Sequence, residues 1–204
     1  MPKTVWIIDG AYMMKSSPGK VDYLRLKNLL VKLNGDALKE CFYLNSIRDT
    51  TSESQDAFHT WLKLAPPSGP KFRVQLYKLK QMNVCCPGCN REVSRDVQKG
   101  VDVGIATLVL KLAAQEQYDR LILSTGDGDF EDAIDYVKSE LHKEIWIAGF
   151  SDSISADLQS YSDNVIFLND YWKEIEKENH RESYREAQNN GFSNREVVVN
   201  GNKG

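Results

Sequence analysis

The stretch from Ser124 to Phe130 reads Ser-Thr-Gly-Asp-Gly-Asp-Phe and follows the apolar run Leu121, Ile122 and Leu123. Asp127 and Asp129 therefore stand on a glycine-softened turn at the end of a buried strand, where α/β proteins place their chemistry. Like charges crowded this way repel unless a cation neutralises them. The alternative is an Asx-rich turn that caps the next helix. Two further acidic turns favour the cation. Thr4 to Ile8 is a second apolar strand ending in Asp9 and Gly10, and Lys99, Gly100, Val101 and Asp102 put another acid at a helix start. Taken alone, Asp102 reads as a charge favoured by the helix dipole. Three acid-bearing element ends together point to magnesium or manganese, hard cations held by oxygen, and away from zinc.

A carboxylate-held cation with open water positions activates a water nucleophile and stabilises charge on a phosphodiester. Asp9, Asp102, Asp127 and Asp129 thus suit hydrolysis of a nucleic-acid backbone. The Thr125 hydroxyl is placed either to orient water or ligand or to satisfy the turn. The chain has no glycine-rich loop with the lysine of a nucleoside-triphosphate site. Its three histidines, His59, His142 and His180, form no nucleophile-and-base arrangement. Two other acid-based phosphatase types fit less well. A dehalogenase-type site needs a second aspartate where Ala11 stands, and a Toprim site needs a glutamate near the first strand.

The elements that must carry these acids alternate between apolar runs and helical patterns, the signature of a parallel sheet covered on both faces. Strands are expected at Thr4–Ile8, Cys41–Asn45, Phe72–Leu79, Arg120–Ser124, Glu144–Ala148 and Asn164–Phe167. Helices are expected at Val21–Leu33, Ser54–Leu64, Val101–Gln117, Phe130–Leu141, Ala156–Tyr161 and Tyr171–Tyr184. The helix from Val101 is apolar nearly all round, with Val103 and Leu110 opposite the main stripe, so burial on several sides or a homo-oligomer interface is expected. Residues 185–204 turn to Asn, Gly, Ser and charge, and read as a flexible tail beyond a domain of residues 1–184.

Three motifs in order, Ile8-Asp9-Gly10, Lys99-Gly100-Val101-Asp102-Val103 and Ser124 to Phe130, closely resemble the NYN domain of the LabA-like (DUF88) branch of the PIN-like nucleases. The resemblance covers about residues 3–170. It implies an α/β fold, a PIN-like three-layer sandwich with a central, mostly parallel sheet and helices on both faces. It also implies a metal-dependent ribonuclease, with Asp9, Asp102, Asp127 and Asp129 as catalytic and metal-binding residues. The resemblance includes one departure: the family follows its first Asp-Gly with an asparagine two residues later, whereas this chain has Ala11 and Tyr12. Tyrosine cannot offer an amide to water or phosphate in the same way, so a non-catalytic RNA-binding or protein-interaction module on the same fold is the competing expectation.

Members of the family also carry a two-cysteine knuckle before Lys-Gly-Val-Asp. Here Cys86, Pro87, Gly88 and Cys89 lie there, in an insert at about residues 80–98. Cys86 and Cys89 have the spacing of half a zinc site, completed by a second subunit or by His59, or else form a reduced turn without metal. Lys78, Lys80, Arg91, Arg95 and Lys99 surround the knuckle, suited to the phosphates of single-stranded RNA or to an ordinary solvated hairpin. Tyr12, Tyr43 and Tyr77 are either stacking faces for bases or core. With 204 residues and a net charge of −3, the chain has room for one core and no overall basic field. Its first residues lead straight into a strand, and no apolar run is long enough to span a membrane, so a cytoplasmic location is expected.

Overall fold

The computed structural model describes residues 2–48, 50–85, 87–89, 91–97 and 100–178, with backbone alone for 80–84 and 93–97. Strands β1 (Thr4–Asp9), β2 (Leu38–Ile47), β3 (Arg73–Lys78), β6 (Arg120–Ser124), β7 (Glu144–Gly149) and β8 (Asn164–Phe167) form one six-stranded sheet. All its pairings are parallel, in the order β3-β2-β1-β6-β7-β8. The chain thus runs outward from β1 to one edge, crosses back, and runs outward from β6 to the other. The crevice between β1 and β6 is a topological switch point, where open α/β sheets bind ligands.

Alternation along the strands divides the core in two. Val5, Ile7, Phe42, Leu44, Leu121 and Leu123 face one layer of helices, made of α4 (Val101–Ala114), α5 (Glu131–Ser139) and α6 (Ala156–Tyr161). Trp6, Ile8, Cys41, Tyr43 and Ile122 face the other, made of α1 (Gly10–Ser16), α2 (Tyr23–Asn34), α3 (Glu53–Lys63) and α7 (Trp172–Ile175). Each fully buried aliphatic side chain, such as Ile7 or Ile8, contributes roughly 1.5–3 kcal/mol. Every residue of β1 is buried, which fixes the strand that carries Asp9.

Helix starts follow from capping residues. Asp22 accepts from Leu24 N and Arg25 N, and Ser52 closes a capping box with Gln55. The three-layer arrangement and the six expected strands are present. The short helix α1 was not among the elements expected, and the insert forms a hairpin, one of its two readings, as an antiparallel pair of strands, β4 (Lys80–Cys85) and β5 (Glu92–Val97). Several expected helices are shorter, the one over Phe130–Leu141 spanning Glu131–Ser139. The helix from Val101 ends at Ala114, where Glu116 at φ 52° reverses the chain. The helix expected over Tyr171–Tyr184 stops at Ile175. From Glu176 to Ser183 the sequence has no apolar residue to bury, and the backbone bonds sideways instead, Lys177 N donating to Lys20 O at 2.8 Å. The expected tail, 185–204, lies outside the described residues. On helix α4 the main stripe of Val101, Ile105, Leu108 and Leu112 is buried, while Val103 opposite it is 70% exposed.

Candidate metal and nucleic-acid site

Asp9 ends β1 and opens α1. Its Oδ1 accepts from Ala11 N at 2.9 Å and from Tyr12 N at 3.1 Å, so the carboxylate caps the helix and is held by it. Ile8 pairs with Ser124 across to β6, which brings Asp9 level with the turn that follows that strand. In that turn Thr125 is fully buried, and its Oγ1 accepts from Asp127 N at 3.3 Å. The Asp127 carboxylate in turn accepts from Asp129 N at 3.0 Å and caps a single 3-10 turn, Gly128–Phe130. Both hydrogen bonds are the local side-chain-to-backbone kind that Thr and Asp favour in turns. The Thr125 hydroxyl is thus engaged in building the turn.

Asp102 lies in the first turn of α4, which starts at Gly100 with φ 103° and no side-chain cap. Tyr77 of β3 packs against this start: a Cβ on Gly104 would overlap the Tyr77 ring at 2.5 Å. The helix and its aspartate are thereby seated against the sheet edge.

The four carboxylates share one electrostatic field. Asp9 is only 6% exposed, and burial raises its carboxyl above the ordinary value of 3.8 despite two N–H donors, with the charges of Asp102 and Asp127 pushing the same way. Asp102 is raised by burial and then by Asp127 and Asp129. An approaching cation relieves this repulsion. Among the described residues, no three His, Cys, Asp or Glu side chains stand close enough to enclose an ion between them.

Tyr12 turns away from these acids. Its hydroxyl accepts from Phe150 N at 2.9 Å and shares a 2.9 Å hydrogen bond with Ser153 Oγ, and burial raises its phenol above the usual range. Ser153 and Gly149, which receive it, were not singled out from the sequence; only their place after a strand pointed to the carboxyl edge. Tyr43 is fully buried, with Asn45 Nδ2 donating to its hydroxyl at 3.2 Å, and has no face for a base.

Lys78 is exposed at the end of β3 just before the insert, Arg91 is exposed between β4 and β5, and Arg95 pairs opposite Met82. The side chains of Lys80 and Arg95 are not described, and Lys99 and Cys86 lie outside the described residues. Cys85 and Cys89 are exposed free thiols. His59 is buried between Tyr43 and Phe58, with ring centroids at 6.4 and 5.6 Å. Among the described residues no helix is long and apolar enough to cross a membrane.

A solved structure from Vibrio parahaemolyticus, a protein of unknown function, superposes with a TM-score of 0.60 at 20% identity. It covers 83% of this chain and 94% of that one, and so shows the shared fold. The low amplitude and bright protein LabA of Synechococcus elongatus is 36% identical over 72 residues, 35% of this chain. The match takes in 38% of LabA, so the chain spans well under half the length of that relative. The NYN domain family model matches residues 3–169, the whole sheet with its acidic turns. On that match this chain belongs to the NYN domain family, within the PIN-like nuclease superfamily.

Proposed function

We propose that this chain is a ribonuclease that hydrolyses phosphodiester bonds of single-stranded RNA with Mg²⁺ or Mn²⁺ at Asp9, Asp102, Asp127 and Asp129. The observation that carries the reading is that Asp9 at the end of β1 and Asp102 at the start of α4 are both raised, first by burial and then by neighbouring aspartate charges, those of Asp102 and Asp127 on Asp9 and those of Asp127 and Asp129 on Asp102. The donor set is all oxygen, which suits a hard cation. Magnesium commonly takes one or two carboxylates and keeps several waters, so the lack of a three-ligand cage among the described residues fits such a site. Once bound, the ion would supply an acidified water and positive charge for the phosphoryl oxygens.

The chain's own residues do the rest. Asp9, clamped by two backbone N–H groups, is the fixed anchor. Asp127 and Asp129 ride on the turn that Thr125 builds, and Asp102 closes the site from α4. Lys78, Lys80, Arg91, Arg95 and Lys99 neutralise the RNA backbone on its way in, each neutralised phosphate releasing counterions. The reading includes a domain over residues 1–184 with the β4–β5 insert, and a cytoplasmic setting. A second reading, a non-catalytic RNA-binding module, draws on Tyr12, whose hydroxyl is committed to Phe150 and Ser153 and offers the site no amide. An assay on end-labelled single-stranded RNA separates the two. The ribonuclease cuts in Mn²⁺, stops in chelator, and is lost in Asp127→Asn; RNA that binds but is never cut leaves the second reading.

A further inference from the structure

Tyr12 is joined to both sides of the switch point. Its backbone N–H donates to Asp9 on β1. Its side chain crosses the end of β6 and reaches the loop after β7, two strand spacings or roughly 9–10 Å from β1. The hydrogen bonds there assign themselves. Ser153 Oγ donates to Phe150 O at 3.0 Å, so the proton shared with Tyr12 must come from the phenol. Tyr12 then donates to Ser153 Oγ and accepts from Phe150 N, closing a ring in which every polar atom is satisfied. Ser155 N donates to Gly126 O at 3.0 Å, which ties the same loop to the turn bearing Asp127. Gly126 itself is pressed on two sides. A Cβ there would overlap the Ser153 carbonyl and lie 2.6 Å from Tyr12 Cε2, and one on Gly149 would overlap the Tyr12 hydroxyl.

We propose that Tyr12 is a positioning residue, a brace that holds the Gly126–Asp129 turn in fixed register with Asp9 by fastening both to the loop after β7. An asparagine at this position is too short to span the crevice. The brace rests on the reading of these aspartates as one site, but it is tested apart from catalysis. It requires that removing the phenolic oxygen loosen the turn, not only the loop.

The test is amide hydrogen exchange by NMR, with Mn²⁺ affinity measured in parallel, on the wild type, Tyr12→Phe and Ser153→Ala. Tyr12→Phe keeps the ring between Gly126 and Gly149, so the fold and its spectrum are retained. The expected result is exchange about tenfold faster at Phe150, Ser155, Asp127 and Asp129 in Tyr12→Phe, with weaker Mn²⁺ binding in both variants. Faster exchange at Phe150 alone, with the turn amides and Mn²⁺ affinity unchanged, overturns the brace. Should the wild type bind no Mn²⁺ while the turn still loosens in Tyr12→Phe, the brace stands and the ribonuclease reading falls.

Discussion

Asp9 combines near-complete burial with two N–H donors and two nearby negative charges, and its ionisation costs folding energy. Asp102 is exposed, and partial desolvation and the charges of Asp127 and Asp129 raise its carboxyl in the same direction. Both carboxyls titrate near 3.8 in the unfolded chain and higher in the folded one. Just above that value the folded state binds more protons, so stability falls as pH rises through the folded pKa and is greatest below 3.8 as far as these two groups go. Removing one neighbouring charge should relieve the strain. Asp127→Asn keeps the cap on Asp129 N and should raise the melting temperature at pH 7 by roughly 2–4 °C, about 1 kcal/mol, with the gain fading towards pH 3.5. A melt that drops at pH 7 would show that the Asp127 charge stabilises the turn rather than straining the cluster. A function-bearing site that lowers stability in this way is expected where charges await a partner.

At the scale of elements, the turn after β6 is fixed from both sides, and glycine is required there by space. Gly126→Ala would push a methyl into the Ser153 carbonyl, which is backbone and cannot swing away. The expected loss is about 1–3 kcal/mol on thermal or denaturant unfolding, with weakened Mn²⁺ binding as the turn shifts. An unchanged melt would mean that the loop after β7 yields freely and holds nothing in place. These elements differ in how well the sequence announces them. The acidic strand ends were legible because an apolar run followed by Asp and Gly is a local pattern, and the strands at Arg120–Ser124 and Asn164–Phe167 match to the residue. Helix α1 was not, being seven residues with glycine first and only Asp9 as its cap. The β4–β5 pair lacks a long apolar run, and the end of α7 is set by backbone bonds to Lys20, distant in sequence. The link from Tyr12 to Ser153 joins residues 141 apart and exists only once α1 and the β7 loop meet across β6.

The whole molecule is a parallel sheet whose order reverses between β1 and β6, so acids from distant segments arrive at one edge. Its net charge of −3 means that affinity for RNA depends on a local path. Reversing Lys78, Lys80, Arg91, Arg95 and Lys99 together should weaken binding of single-stranded RNA and flatten the logarithmic salt dependence by about 0.7 for each phosphate no longer neutralised. A salt titration with an unchanged slope would move the path to another face. Divalent cation should also stabilise the fold by mass action, about 2.7 kcal/mol at a hundredfold excess over the dissociation constant. The central claim is that aspartates from three segments form one cation site, and calorimetric titration of Mn²⁺ into the wild type and Asp102→Asn tests it most directly. Asp102 is the member contributed by α4, far from Asp9 in sequence, and its loss should weaken Mn²⁺ by about tenfold or more. Equal affinity in the two proteins would contradict a shared site.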